Sequence, residues 1–114
     1  MNWNKYLKYL WWGTIIGITI LSLMPPSSGR EIPTNDKVGH FIAYGIFAFV
    51  SLSYGYRQFS FFKIILFTFS FGILMEYCQG FIPGREPSIL DALANTVGIL
   101  LGFLLFFYFI RKRA

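Results

Sequence analysis

Four long apolar stretches, separated by short connectors, constrain this chain more than anything else in it. They run Tyr6–Met24, Val38–Tyr56, Phe59–Gln79 and Ile89–Ile110, which is 19, 19, 21 and 22 residues. A helix rising 1.5 Å per residue needs about 20 apolar residues to cross a hydrocarbon core of about 30 Å. Each stretch meets that length, and together they take 81 of the 114 residues. In lipid every backbone N–H and C=O must be paired within the protein, which leaves helices or a closed barrel. The two-residue alternation of a membrane barrel does not occur in the sequence. It therefore predicts one all-α domain over residues 1–114, a bundle of four transmembrane helices.

Composition excludes the competing classes. Charged residues are 13% of the chain and the mean hydropathy is +0.56. A soluble domain carries about 25% charge, so this one lacks the surface to stand in water. The net charge of +5 would suit nucleic acid only if it formed a basic face. The lysines and arginines instead sit in short runs beside the apolar segments, so membrane lipids, and no nucleic acid, are the expected partners. The single cysteine, Cys78, excludes a disulfide within the chain and a Cys-based zinc site. Lys5 and Lys8 before the first segment resemble a secretory signal. However, Leu23-Met24-Pro25-Pro26-Ser27-Ser28 is no small-x-small cleavage site. We read a retained helix, ended by two prolines that cannot continue it.

Charge predicts the orientation. Four spans put both termini and the turn near residue 57 on one side, with Lys5, Lys8, Arg57, Lys63, Arg111, Lys112 and Arg113, seven of the ten basic residues. Cytoplasmic loops carry the excess of Lys and Arg. Both termini are therefore expected in the cytoplasm, with loops 25–37 and 80–88 outside. All five acids, Glu31, Asp36, Glu76, Glu86 and Asp91, fall on that outer side.

Polar residues gather at the outer helix ends. Asp36, His40 and Tyr44 are spaced by four and form one stripe down the second helix, with Lys37 beside them. Asp36 suits a helix N-terminus, where the dipole favours a carboxylate. His40, one turn deeper, is a titratable group facing the bundle. Glu76 lies near the C-terminus of the third helix, where the dipole opposes a carboxylate, so it needs a partner such as Lys37, His40 or Arg85. Gln79 follows on nearly the same face. In the fourth helix Ser88-x-x-Asp91 reads as a capping box, which accounts for Asp91 structurally. Asn95 lies about 9 Å into the helix and has no such explanation. Gly98-x-x-x-Gly102 continues its face and permits close helix packing.

Helices packed 8–10 Å apart bring side chains at such similar depths within reach of one another. His40, Glu76 and Asp91 are the candidates for acid–base chemistry, and Asp36, Lys37, Tyr44, Gln79, Arg85 and Asn95 for binding. No HExxH-type spacing designates a metal site, and no motif names a cofactor. Cys78, two residues from Glu76, points away from it and is read as packing.

Three blocks then resemble the VanZ-like family of small bacterial membrane proteins. They are Asp36-Lys37-x-x-His40-Phe41-x-x-Tyr44, then Glu76-x-x-Gln79 with Pro83-Gly84-Arg85, then Asp91-x-x-x-Asn95-x-x-Gly98-x-x-x-Gly102. Ser22-x-Met24-Pro25-Pro26 before the first loop also looks like the family. The resemblance covers about residues 20–105. It implies a four- or five-helix domain in the bacterial cytoplasmic membrane and an association with resistance to the glycopeptide teicoplanin.

Three functions fit these residues. The first is an enzyme or binding protein for a lipid-linked cell-envelope precursor at the outer leaflet. There His40 would be acid or base, Glu76 and Asp91 its partners or metal ligands, and Arg85 a phosphate contact. No Ser or Cys lies obviously beside His40, which disfavours covalent catalysis. The second is a non-catalytic subunit or scaffold whose polar cluster is structural. The third, a small transporter, fits least, because the inner halves of the helices are almost purely apolar.

Overall fold

The computed structural model describes residues 3–23, 33–82 and 89–113. Among these the chain is helical and contains no strand. The four helices are α1 (Trp3–Leu23), α2 (Pro33–Gly55), α3 (Phe61–Gln79) and α4 (Ile89–Arg113). Each contains a stretch long and apolar enough to cross a membrane: Asn4–Leu23, Val38–Gly55, Phe61–Gln79 and Ile89–Ile110. Leucine, isoleucine and phenylalanine side chains on all four face outward, as lipid contact requires.

The helix ends differ from the apolar stretches for local reasons. α2 starts at Pro33 rather than Val38, since proline's fixed φ and missing N–H suit a first helical turn. Asp36 therefore sits in the first turn of a longer helix, and the connector before it is shorter than the apolar pattern suggests. α3 starts at Phe61 rather than Phe59. Ser60 is extended there and its hydroxyl accepts from the Lys63 N–H at 3.2 Å, an N-cap that sets the boundary. α4 continues past Ile110 to Arg113, because basic residues complement a helix C-terminus.

α2 is the central helix and touches the other three, while α1 and α4 do not meet among the described residues. Its most extensive contact is with α4, which runs parallel to it. Glycines permit the approach. A Cβ on Gly98 would run into the Phe41 carbonyl oxygen and lie 3.2 Å from the Gly45 nitrogen. One on Gly102 would meet the Gly45 carbonyl oxygen and lie 3.1 Å from the Ala48 Cβ. The two backbones thus pack directly together, the arrangement that small-xxx-small faces allow in membranes.

Two apolar clusters stack along the bundle. One joins Ile18, Tyr44, Phe47, Ala48, Met75 and Ile99. The other joins Leu52, Ile64 and Phe106, closed by Phe49, Tyr56 and Phe103. Hydroxyls within the helices are satisfied locally: Thr14, Thr19, Ser53 and Thr96 each donate to the carbonyl four residues back. Trp11 instead reaches across, donating from Nε1 to Ser51 Oγ at 2.9 Å. Trp11→Phe keeps the ring contacts with Tyr54 and Phe67 and loses only this bond. Polar contacts between membrane helices average about 0.6 kcal/mol. The variant is expected to lose about that much in a detergent unfolding titration.

Candidate functional site

α1 and α3 end, and α2 and α4 begin, at one end of the bundle, where the buried polar side chains collect. Ser22, Glu76, Gln79, Asp91 and Asn95 are all at least nine-tenths buried there, and His40 is half-buried beside them. The parallel register of α2 and α4 positions the closest pair. His40 Nδ1 lies 2.9 Å from Asn95 Oδ1. An amide oxygen only accepts, so the proton of this bond sits on Nδ1. In the neutral ring the lone pair is then on Nε2. A buried amide thus orients an imidazole and selects its tautomer, the role that an orienting group plays beside a catalytic or proton-carrying histidine.

Tyr44, one turn along α2, lies parallel to the His40 ring, centroids 6.4 Å apart and planes inclined by 1°. Its ring is buried edge-on to Phe47. Its hydroxyl lies near Ser22 and within electrostatic reach of Glu76, yet makes no well-aligned hydrogen bond. Gly72, on the Glu76 face of α3, lets these groups meet: a Cβ there would lie 3.2 Å from Tyr44 Cε1 and 3.7 Å from Asn95 Nδ2. Gln79, one turn past Met75, is 2% exposed, and its Nε2 has no hydrogen-bond partner among the described residues.

The sequence-predicted residues therefore divide into three groups. His40, Tyr44, Glu76 and Asn95 come together around Gly72. Gln79 and Asp91 are buried at the same end of the bundle. Asp36 and Lys37 are in the first turns of α2, with side chains outside the described residues, and Arg85 and the Ser88 of the expected capping box lie outside them altogether. Among the described residues no three His, Cys, Asp or Glu side chains converge to hold a metal ion. Sequence reasoning passed over Ser22, Gly45 and Gly72 as site-building positions. Ser22 was present in the Ser-x-Met-Pro-Pro segment, and Gly72 stands one turn before Glu76, a spacing that could have marked both.

The fold and the buried polar end define a multi-pass helical membrane protein with a polar site enclosed at one end of its bundle. A family model described as VanZ/LLP1 matches residues 3–111, nearly the whole chain. The chain belongs to that family. Comparison with curated proteins and with solved structures finds no match.

Proposed function

We propose that this VanZ-family protein engages the headgroup of a lipid-linked cell-envelope precursor at the outer leaflet of the bacterial cytoplasmic membrane. The observation that carries the reading is the His40–Asn95 bond. A half-buried imidazole is held in one tautomer by a buried amide, at the depth where lipid headgroups meet the hydrocarbon. His40 there holds or moves a proton, and Glu76 supplies negative charge nearby. Arg85, which falls between α3 and α4 in the sequence, would contact phosphate in a fork geometry that lysine does not offer. Transport is a poorer fit. The opposite end of the bundle is filled by Leu52, Ile64, Phe106 and their aromatic neighbours rather than by polar groups.

The orientation is tested first. In a Cys78→Ser background, cysteines at Ser28 and Ser88 are expected to react with an impermeant thiol reagent on intact spheroplasts, and one at Ala114 is not. The reverse pattern removes the outer-leaflet site. Headgroup binding is tested by native mass spectrometry of the chain extracted from membranes. The wild type is expected to carry an anionic lipid species that His40→Phe and Glu76→Gln lose at equal folded yield. Retention of the same lipids by both variants would overturn the reading.

A further inference from the structure

The end of the bundle opposite the polar site is basic. α1 and α3 begin and α2 ends there, and Lys5, Lys8, Arg57 and Lys63 are all exposed. α4, parallel to α2, ends at the same place on Arg111-Lys112-Arg113. The acids of the described helices, Asp36, Glu76 and Asp91, lie at the other end. A diffuse positive field of this kind attracts any acidic leaflet, and by itself it marks no particular site.

Arg57 differs from the other bases because it is held in place. The turn from α2 to α3 is closed by the Gln58 and Phe59 N–H groups, which both donate to the Gly55 carbonyl, at 3.0 and 2.9 Å. Within it Arg57 Nε donates to the Tyr56 hydroxyl at 3.0 Å, and the guanidinium carbon lies 5.5 Å from the centroid of that ring. The Tyr56 ring packs edge-on against the buried Phe106, 5.5 Å away, and so closes the second apolar cluster. A tyrosine anchored in the core thus fixes an exposed guanidinium. The bond uses Nε, and the end-on pair of Nη groups is the fork that matches two phosphate oxygens. The depth is that of a lipid phosphate. One apolar span stops at Gly55 and the next starts at Phe61, so Arg57 stands at the hydrocarbon boundary. Lys63 lies in the first turn of α3 and is long enough to snorkel back to the same plane. Phe59 and Phe62, 55% and 73% exposed, put apolar surface on either side.

We infer that Arg57, positioned by Tyr56 and supported by Lys63, binds the phosphodiester of an acidic phospholipid in the leaflet at that end, the cytoplasmic one in the orientation proposed above. The site lies at the opposite end of the bundle from His40 and does not depend on the headgroup reading. A lipid suits it better than a free anion, because the phenylalanines beside the fork offer contact to acyl chains and nothing to inorganic phosphate. An acidic lipid suits it better than a zwitterionic one, because a choline would bring a third positive charge beside Arg57 and Lys63.

The test is native mass spectrometry of the full-length chain in mild detergent, with phosphatidylglycerol and phosphatidylcholine of matched chains. A hydrogen bond to a charged group corresponds to about tenfold in affinity, so the wild type is expected to bind phosphatidylglycerol about tenfold tighter. Arg57→Lys separates a site from a field. It keeps the charge and loses the fork, and the preference is expected to fall to about threefold or less. Tyr56→Phe keeps both the ring against Phe106 and the charge of Arg57. It is expected to lose about threefold of the preference with melting unchanged, which a purely structural role for the hydroxyl would not produce. His40→Phe is expected to keep the preference in full. A wild type that binds the two lipids equally overturns the inference, and so does an Arg57→Lys protein with the wild-type preference. Full preference in Tyr56→Phe removes the positioning role of Tyr56. Displacement of phosphatidylglycerol by equimolar inorganic phosphate overturns the lipid assignment. Loss of the preference in His40→Phe would put the lipid at the other end of the bundle, against this site and in favour of the headgroup reading.

Discussion

Gly98→Ala is expected to destabilise the bundle by about 3 kcal/mol, the upper end of the usual overpacking cost, and Gly102→Ala by a similar amount. The new Cβ on Gly98 has nowhere to go. It meets the Phe41 carbonyl oxygen and sits close to the Gly45 nitrogen, both backbone atoms of α2. A side chain could swing aside, whereas a helix backbone must move as a unit. Gly45→Ala meets the Gly98 oxygen at 3.3 Å, a gap that a few tenths of an ångström relieves, so its effect should be smaller. Thermal melting in detergent ranks the two. If Gly98→Ala melts with the wild type, the direct α2–α4 backbone contact is wrong.

The same sequence motif on α1 provides the control. Gly13-Thr14-Ile15-Ile16-Gly17 repeats the spacing of Gly98 and Gly102, but a Cβ on either α1 glycine meets nothing within 4 Å. Without a packing cost the sign reverses, because alanine is favoured over glycine in a helix by about 1 kcal/mol. Gly13→Ala and Gly17→Ala should leave melting unchanged or raise it. The motif licenses a close approach, and only the neighbour decides whether one is made.

That contrast also explains what was legible beforehand. Four spans follow from segment length and from the need to pair backbone groups in lipid, so the sequence was sufficient for the architecture. Hydropathy says less about helix ends that project beyond the hydrocarbon. Pro33 to Lys37 are polar and still helical, because a proline at the start and the turn residues after it favour a helix there. In the site, period and depth placed His40, Tyr44, Glu76, Asp91 and Asn95 on inward faces, since spacing by four repeats a helix face. The particular pairing of His40 with Asn95 was not legible. It depends on the relative height of α2 and α4, which is set by where Gly98 meets Phe41 and Gly102 meets Gly45. Nor was the lodging of Tyr44 in the core. The stripe with Asp36 and His40 marks it as a binding candidate, whereas its ring packs in the apolar cluster with Phe47, Met75 and Ile18.

Whether the polar cluster acts or only fastens helices together is decided at Asn95. As a fastener, the His40–Asn95 bond is worth about 0.6 kcal/mol, the average for such contacts between membrane helices. Asn95→Leu would then lower the melting midpoint slightly and leave a folded protein with its phenotype intact. As an orienting group, Asn95 matters through the state of His40. Asn95→Leu should leave melting within about 1 kcal/mol of wild type while abolishing the phenotype, read as the anionic lipid retained in native mass spectrometry. Asn95→Asp makes the distinction sharper. A carboxylate at the same place still accepts from His40 Nδ1, so the helices should be fastened at least as well. Loss of the phenotype in Asn95→Asp at undiminished stability therefore cannot be explained by weakened packing. Retention of the phenotype in both variants would make the cluster structural and the protein a scaffold, since the amide that orients His40 would then not matter to what the protein does.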